Sequence, residues 1–359
     1  MELDLLSILK HAVEAGASDI FIIAGHPVAF KINETVIPAG DEKLGGFALG
    51  PDDTRRLIEK IYSSAKGREI RRFLETGDDD FSFSVDRLGR FRCNAYFQRG
   101  TMAAVLRLVS FRLPDPKELN IPESVVNLNL VKKGLVLITG SAGSGKSTTL
   151  ACIIDKINRT RNCHIITIED PIEFLHRHGK SIVSQREVPN DTRDYVHALR
   201  AALRQAPDVI LLGEMRDYET IATAMTAAET GQLVLSTLHT VGASNTIDRI
   251  IDVFPSGQQQ QIRVQLSMVL QAVVSQQLVP SVDGKLVPAF EIMIVNPAVR
   301  NMIRECKVHQ IDNAIFSGAG EGMISMDSDL LRLYSQGVIS RENALIYAAN
   351  PENLAKRMK

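Results

Sequence analysis

The sequence predicts an α/β core with a mainly parallel sheet covered on both faces, an α+β domain before it and helices after it. Three observations carry that expectation. The apolar run Gly134-Leu135-Val136-Leu137-Ile138-Thr139 passes directly into Gly140-x-x-x-x-Gly145-Lys146-Ser147, after which Leu150, Ile153, Ile154 and Ile157 recur at helical spacing. From there to about residue 252 short apolar strands alternate with helical stretches, the pattern of a parallel sheet with crossover helices. Pro114, Pro116 and Pro122 set this region apart from what precedes it, because each removes a donor and biases its predecessor away from helix.

In chain order, residues 3–15 read as an amphipathic helix with Leu3, Leu6, Leu9, Ala12 and Val13 on one face. Residues 19–24 and 28–32 read as strands around the turn Gly25-His26-Pro27, followed by helices over 51–62 and 66–75. Strands over 80–86, 89–98 and 102–109 complete an antiparallel sheet with helices on one face. After the proline-rich linker come strand 135–139, helix 146–159, strand 164–168, helix 192–205, strand 208–213, helix 217–229, strand 233–237 and helix 243–252. Beyond Gly257 the pattern predicts a long helix to about Gln276, a β pair near 277–295, and helices over 297–305, 307–316, 326–336 and 340–348.

Composition excludes several roles. With 359 residues and 45% hydrophobic content the chain can bury at least one full core, and its length suggests two domains. A net charge of −1 and only 5% aromatic residues offer little to a nucleic acid backbone or its bases. Four cysteines at 93, 152, 163 and 306 form no C-x-x-C pair, which fits a reducing cytoplasm and argues against a zinc ribbon. Met1-Glu2-Leu3-Asp4 is no basic leader, and no apolar run approaches the ~18 residues of a membrane span. Membrane contact is therefore expected only through a partner.

The glycine-rich stretch is a P-loop. A loop that wraps phosphates must aim successive backbone N–H groups inward, and Gly140, Gly143 and Gly145 permit the turns this requires. The helix starting near Lys146 adds its positive end, Lys146 would bridge the β and γ phosphates, and the Ser147 hydroxyl would ligate Mg²⁺. Two further strands end in acids. Asp208 to Gly213 leads to Glu214, placed to orient and deprotonate water at the γ-phosphate. Ile165 to Ile168 leads to Glu169-Asp170-Pro171, which alone would read as a solvated turn but beside a P-loop suits a metal held through waters. A third strand ends in Ser236-Thr237-Leu238-His239-Thr240, whose histidine is a candidate γ-phosphate sensor. Arg90 and Arg92 share a strand face, with Arg99 in the next turn and Arg107 on the next strand. Such arginines suit a transferring phosphoryl group, although a solvated face is the simpler reading. Met302, Met323 and Met326 read as core.

Together these stretches resemble the type II/type IV secretion ATPase superfamily, over essentially the whole chain. Gly16-Ala17-Ser18-Asp19 and Gly89-Arg90-Phe91-Arg92-Cys93-Asn94 are similar to its PAS-like domain, Thr167 to Phe174 to its Asp box, Gly213 to Asp217 to its Walker B end, and Ser236 to Thr240 to its His box. Ala298-Val299-Arg300-Asn301-Met302-Ile303-Arg304-Glu305 is similar to a motif of the pilus-retraction branch, and the tetracysteine insert of assembly-type relatives has no counterpart at residues 280–285. Departures are Ser141-Ala142 for the usual Pro-Thr, Gln232 for a histidine, and Gln205-Ala206 where an acid is commoner.

The resemblance implies a PAS-like domain over 1–113, a linker over 114–122 and a RecA-like P-loop ATPase domain over 123–359 with a helical region from about 297. It further implies a homohexamer holding ATP and Mg²⁺ between the two domains. Gly140, Ser141, Ala142, Gly143, Ser144, Gly145, Lys146, Ser147 and Thr148 would bind the nucleotide, and Ser147, with Glu169 and Glu214 through water, the metal. Glu214, Lys146, Glu169, His239, Arg92 and Arg107 would serve catalysis. Expected partners are an inner-membrane pilus platform protein and, indirectly, pilin, from a cytoplasmic position at the membrane's inner face. Two alternatives stay open: a motor that extrudes rather than retracts, and a nucleotide-gated adaptor without turnover.

Overall fold

The computed structural model describes residues 3–33, 35–65, 68–86, 88–109 and 113–358. The chain divides into two compact units, Met1–Arg112 with Glu173–Leu175, and Leu113–Ile172 with His176–Lys359.

Among its described residues the first unit has a six-stranded antiparallel sheet. Its strands are β1 (Asp19–Ile22), β2 (Ala29–Ile32), β3 (Thr35–Pro38), β4 (Asp78–Val85), β5 (Gly89–Gln98) and β6 (Thr101–Val109), in the order β3-β2-β1-β6-β5-β4. Helices Leu5–Glu14, Pro51–Ser64 and Ile70–Thr76 accompany it. Alternate residues Phe81, Phe83, Phe91, Cys93 and Ala95 face a core that also takes Ile8, Leu9, Leu57, Ile58 and Ile61 from the helices. β3 escapes the sequence pattern because all its residues are exposed and none alternates. Met1, Glu2, Lys66 and Gly67, on which the leader reading and the start of the 66–75 helix rest, lie outside the described residues.

Among its described residues the second unit holds a seven-stranded sheet of β7 (Gly134–Thr139), β8 (His164–Glu169), β9 (Ile182–Glu187), β10 (Val209–Leu212), β11 (Leu233–Leu238), β12 (Leu270–Pro280) and β13 (Leu286–Ile294). The order is β13-β12-β7-β11-β10-β8-β9, parallel throughout except for the antiparallel hairpin partner β13. β7 explains why the sheet is covered twice. Leu135 and Leu137 enter one hydrophobic core, while Val136 and Ile138 enter another on the opposite face. The P-loop helix Lys146–Thr160 covers the second face, with Leu150, Ile153, Ile154 and Ile157 buried as the spacing required.

One expectation is overturned. The helix predicted to run to about Gln276 ends at Val269, and the chain continues as β12, paired with β7 on one side and β13 on the other. A continuous buried apolar run fits helix and core strand equally well by periodicity, and pairing with β7 decides. Arg300 helps to end that helix. Its Nη1 donates to the carbonyls of Ser267 and Met268, each at 2.9 Å, taking up acceptors of the last turn. Arg300 is thus engaged within the fold, on a helix, Pro297–Arg304, that buries Val299 and Ile303. Met302 packs against the core, and Met323 and Met326 are buried. The chain closes with helices Ile311–Ser317, Met326–Ser335, Arg341–Ile346 and Pro351–Arg357, the last unforeseen from the sequence.

Candidate active site

Strand register brings the predicted polar groups to one edge. Thr139 pairs with Leu238, and Leu212 pairs with both Ser236 and Ile168. The residues that follow, Gly140, His239, Gly213-Glu214 and Glu169, therefore emerge together at the carboxyl end of the parallel strands, where open α/β sheets bind ligands.

The P-loop is tightly fitted. Gly140 has φ +141°, and a Cβ there would lie 2.1 Å from the carbonyl oxygen of Gln276. Lys146 is buried, and its Nζ donates to the carbonyls of Gly140 and Ser141 at 2.9 and 2.8 Å, which holds the ammonium across the loop. Behind it Thr149 Oγ1 donates to Gln276 Oε1 at 2.7 Å, a buried tie from the P-loop helix to β12. Two buried hydroxyls here, Thr139 Oγ1 and Ser144 Oγ, have no hydrogen-bond partner among the described residues.

Glu214 and His239 meet. His239 Nε2 stands 3.4 Å from Glu214 Oε2, and Arg216 Nε donates to Glu214 Oε1 at 2.7 Å. Glu214 is largely buried, while His239 is half exposed at 49%. Glu169 accepts from Thr167 Oγ1 at 2.6 Å and Gln185 Nε2 at 3.2 Å, which orients its carboxylate. Tyr195 completes the edge. Its hydroxyl leaves no room for a Cβ at Gly213, which would lie 2.8 Å away. Burial, reinforced by Glu214, Asp170 and Glu169, pushes the Tyr195 phenol well above its ordinary value, so it stays protonated among three acids. Arg216, Gln185, Tyr195 and Gln276 were not singled out from the sequence. Only Arg216, directly after Glu214 and its neighbour, carried a local signal.

Beside the P-loop a cavity of about 660 Å³ opens, within the range of small-molecule sites. Leu119, Ile121, Leu278, Leu286 and Val338 give it apolar walls, and Thr149 and Gln276 lie at its P-loop end. The predicted arginines belong to the other unit. Arg92 stands directly across from Arg107 in the β5–β6 register. Arg92 Nε donates to Asp80 Oδ1 at 3.0 Å and Arg107 Nε to Asp19 Oδ1 at 2.8 Å, while Arg90 Nη1 reaches Ser84 Oγ at 3.3 Å.

Next to Glu169 the support of the site is sensitive to acid. Gln185, which holds Glu169, also accepts from the His176 backbone N–H at 2.7 Å. Burial pushes the His176 imidazole down to about 4, and its Nδ1 has no partner among the described residues. Between about 6.5 and 4 the unfolded chain binds a proton at His176 that the folded chain does not, so stability falls as pH drops through that window. The expected loss is about 1–3 kcal/mol. Urea midpoints between pH 7 and 4.5 should fall less for His176→Gln than for the wild type, and parallel curves would contradict this.

Mg²⁺ fits the donors. Among the described residues no three His, Cys, Asp or Glu side chains gather into a ready-made metal cage. One hydroxyl at Ser147 with carboxylates at the same edge suits an ion that keeps its waters and binds mainly phosphate oxygens.

Residues 89–320 match the family described as Type II/IV secretion system protein. The chain is 45% identical over 351 residues to the type IV pilus retraction ATPase PilT of Pseudomonas aeruginosa, covering 98% of this chain and all of that one. It is 49% identical over 308 residues to a twitching motility protein of Neisseria gonorrhoeae, covering 86% and 82%. The crystal structure of a pilus retraction motor PilT with bound ADP superposes with a TM-score of 0.89 at 47% identity, covering 99% of this chain and all of the other. With the P-loop, the Glu214–His239 pair and the acid at Glu169 all on one sheet edge, the chain belongs to the type II/IV secretion system protein family.

Proposed function

We propose that this chain is a Mg²⁺-dependent ATP hydrolase that powers type IV pilus retraction as a homohexamer. The observation that carries the chemistry is the Glu214–His239 pair on the sheet edge that also bears the P-loop. The loop amides and Lys146 bind the β and γ phosphates, and the apolar cavity beside Thr149 and Gln276 takes the base. Mg²⁺, held by Ser147 and through waters by Glu169 and Glu214, would neutralise charge on the phosphates. Glu214 accepts a proton from water as its oxygen attacks the γ-phosphorus, and the bond to the β–γ bridging oxygen breaks to leave ADP and phosphate. His239, against Glu214, is placed to register whether the γ-phosphate is present.

Retraction, and not extrusion, is favoured because similarity over most or all of the chain runs to proteins named for retraction and twitching. Arg92 and Arg107 as phosphate ligands, the six-membered ring, the platform protein and pilin as partners, and a place at the inner face of the membrane rest on the family resemblance. No helix among the described residues is long and apolar enough to cross a membrane. The test is ATP turnover against protein concentration with size measured alongside, followed by complementation of a retraction-deficient host. Turnover that rises with assembly and restores twitching supports the reading. A monomer that binds ATP tightly without turnover supports the adaptor, and restored pilus extension in an assembly-deficient host supports the opposite direction.

A further inference from the structure

The loop that carries His239 is tied to its own helix by Thr240 Oγ1 against Thr246 Oγ1 at 2.7 Å and by Asn245 Nδ2 donating to the Val241 carbonyl at 2.9 Å, but the N–H groups that open that helix need acceptors from elsewhere. After β11 the chain runs through His239, Thr240 and Val241 to Gly242, which opens helix Ala243–Asp252 with no side chain to cap it. The missing acceptors come from the β12–β13 hairpin. Ser275 Oγ accepts the Gly242 N–H at 2.9 Å, and Glu291 Oε1 accepts the Ala243 N–H at 2.8 Å. Ser275 and Glu291 are cross-strand partners, so one rung of the hairpin holds two successive N–H groups of the loop.

Glu291 also faces the C-terminal helices, where the N–H of Met326, the first residue of helix Met326–Ser335, acts on its carboxyl in favour of the ionised form. Ile292, next along β13, exchanges backbone hydrogen bonds with Ile324 at 2.7 and 3.0 Å, and Ser244 Oγ donates to Asp312 Oδ1 at 2.5 Å. A partly buried carboxylate thus lies near two helix N-termini, whose positive ends favour its ionised form. Burial and the neighbouring Asp312 and Asp327 oppose that ionisation and raise its pKa.

We propose that Glu291 is a positioning residue for hydrolysis, fixing the His239 loop against Glu214 and tying that loop to the C-terminal helices. The inference rests on the hydrolase reading above. The half-exposed imidazole meets Glu214 at only 3.4 Å, so the anchoring of its loop sets where it stands. A displacement of about 1 Å in such a site costs on the order of a hundredfold in rate. Glutamine at 291 keeps one acceptor for Ala243 but removes the negative charge. Methionine removes both acceptors at similar volume, and Ser275→Ala removes only the Gly242 anchor.

The experiment measures kcat, KM, fluorescent-ADP affinity and melting temperature for the full chain as wild type, Glu291→Gln, Glu291→Met, Ser275→Ala and His239→Ala, and for Glu291→Gln in the His239→Ala background. Glu291→Met should lower kcat by roughly tenfold to a hundredfold with KM and ADP affinity within about twofold, and Glu291→Gln and Ser275→Ala by less. With His239 already removed, Glu291→Gln should have no further effect on kcat. Should the methionine variant fail to fold, the glutamine and alanine variants carry the test. Wild-type kcat in Glu291→Gln, a full additional loss in the His239→Ala background, or losses that track KM and melting would overturn the inference while leaving hydrolysis intact. A wild type that binds ADP but shows no turnover overturns the hydrolase reading, and this inference with it.

Discussion

Glu214→Gln is expected to lower steady-state ATP turnover by about a hundredfold or more while ADP affinity changes by less than about twofold. The carboxamide has nearly the same shape and still offers an oxygen to Arg216 and a polar group to His239. It cannot take a proton. The loss therefore falls on kcat, because the P-loop is held by Lys146 and by the Thr149–Gln276 bond, on elements other than the one that carries Glu214. Glu214→Asp makes the complementary test. It keeps the charge but withdraws it by one methylene from His239 Nε2, which is already at 3.4 Å, and should recover only part of the rate. Wild-type turnover in Glu214→Gln would mean that another group activates the water and would remove the catalytic assignment.

Gly140→Ala is expected to destabilise the second unit by about 3 kcal/mol or more and to abolish nucleotide binding. At φ +141° an L side chain is already strained, and the new methyl would sit 2.1 Å from a backbone carbonyl oxygen of β12. That oxygen belongs to a strand paired on both sides, so it cannot retreat as a flexible side chain would. Either the P-loop opens or β12 shifts away from β7, and both outcomes disturb the amides that face the phosphates. Urea unfolding and fluorescent-ADP binding read the two consequences separately. A variant that melts with the wild type and binds ADP normally would show that this close approach is not needed.

How far the sequence reaches depends on whether a signal is local. The P-loop was legible because strand, glycines, lysine and helix are contiguous between Gly134 and Ile157, and each residue type answers to its immediate neighbours. Glu169, Glu214 and His239 were legible singly, as polar ends of apolar strands. That Glu214 and His239 touch was not, because it follows from the register between β10 and β11. Gln276 was assigned to a helix, so its place under the P-loop was hidden by the ambiguity of the buried run around residues 266–274. Tyr195 and Glu291 gave no sign. A tyrosine starting a helix and an acid within a strand become informative only when distant elements close around them. Arg300 lies in a motif that drew attention for its resemblance, and its guanidinium caps an internal helix.

The strand order has a consequence for how the chain is made. β7 is the fully buried strand that leads into the P-loop, and its two sheet neighbours are β11 and β12, both later in the chain. As the polypeptide leaves the ribosome, one edge of this apolar strand waits for β11, complete at Leu238, and the other for the β12 residues up to Ser275 that pair with it. At about 5–20 residues per second that wait lasts on the order of ten seconds. During it the nascent chain exposes a template for strand pairing with its neighbours on the same message. The vulnerable period for aggregation is therefore set by translation speed between residues 139 and 275, and slowing that stretch would lengthen it.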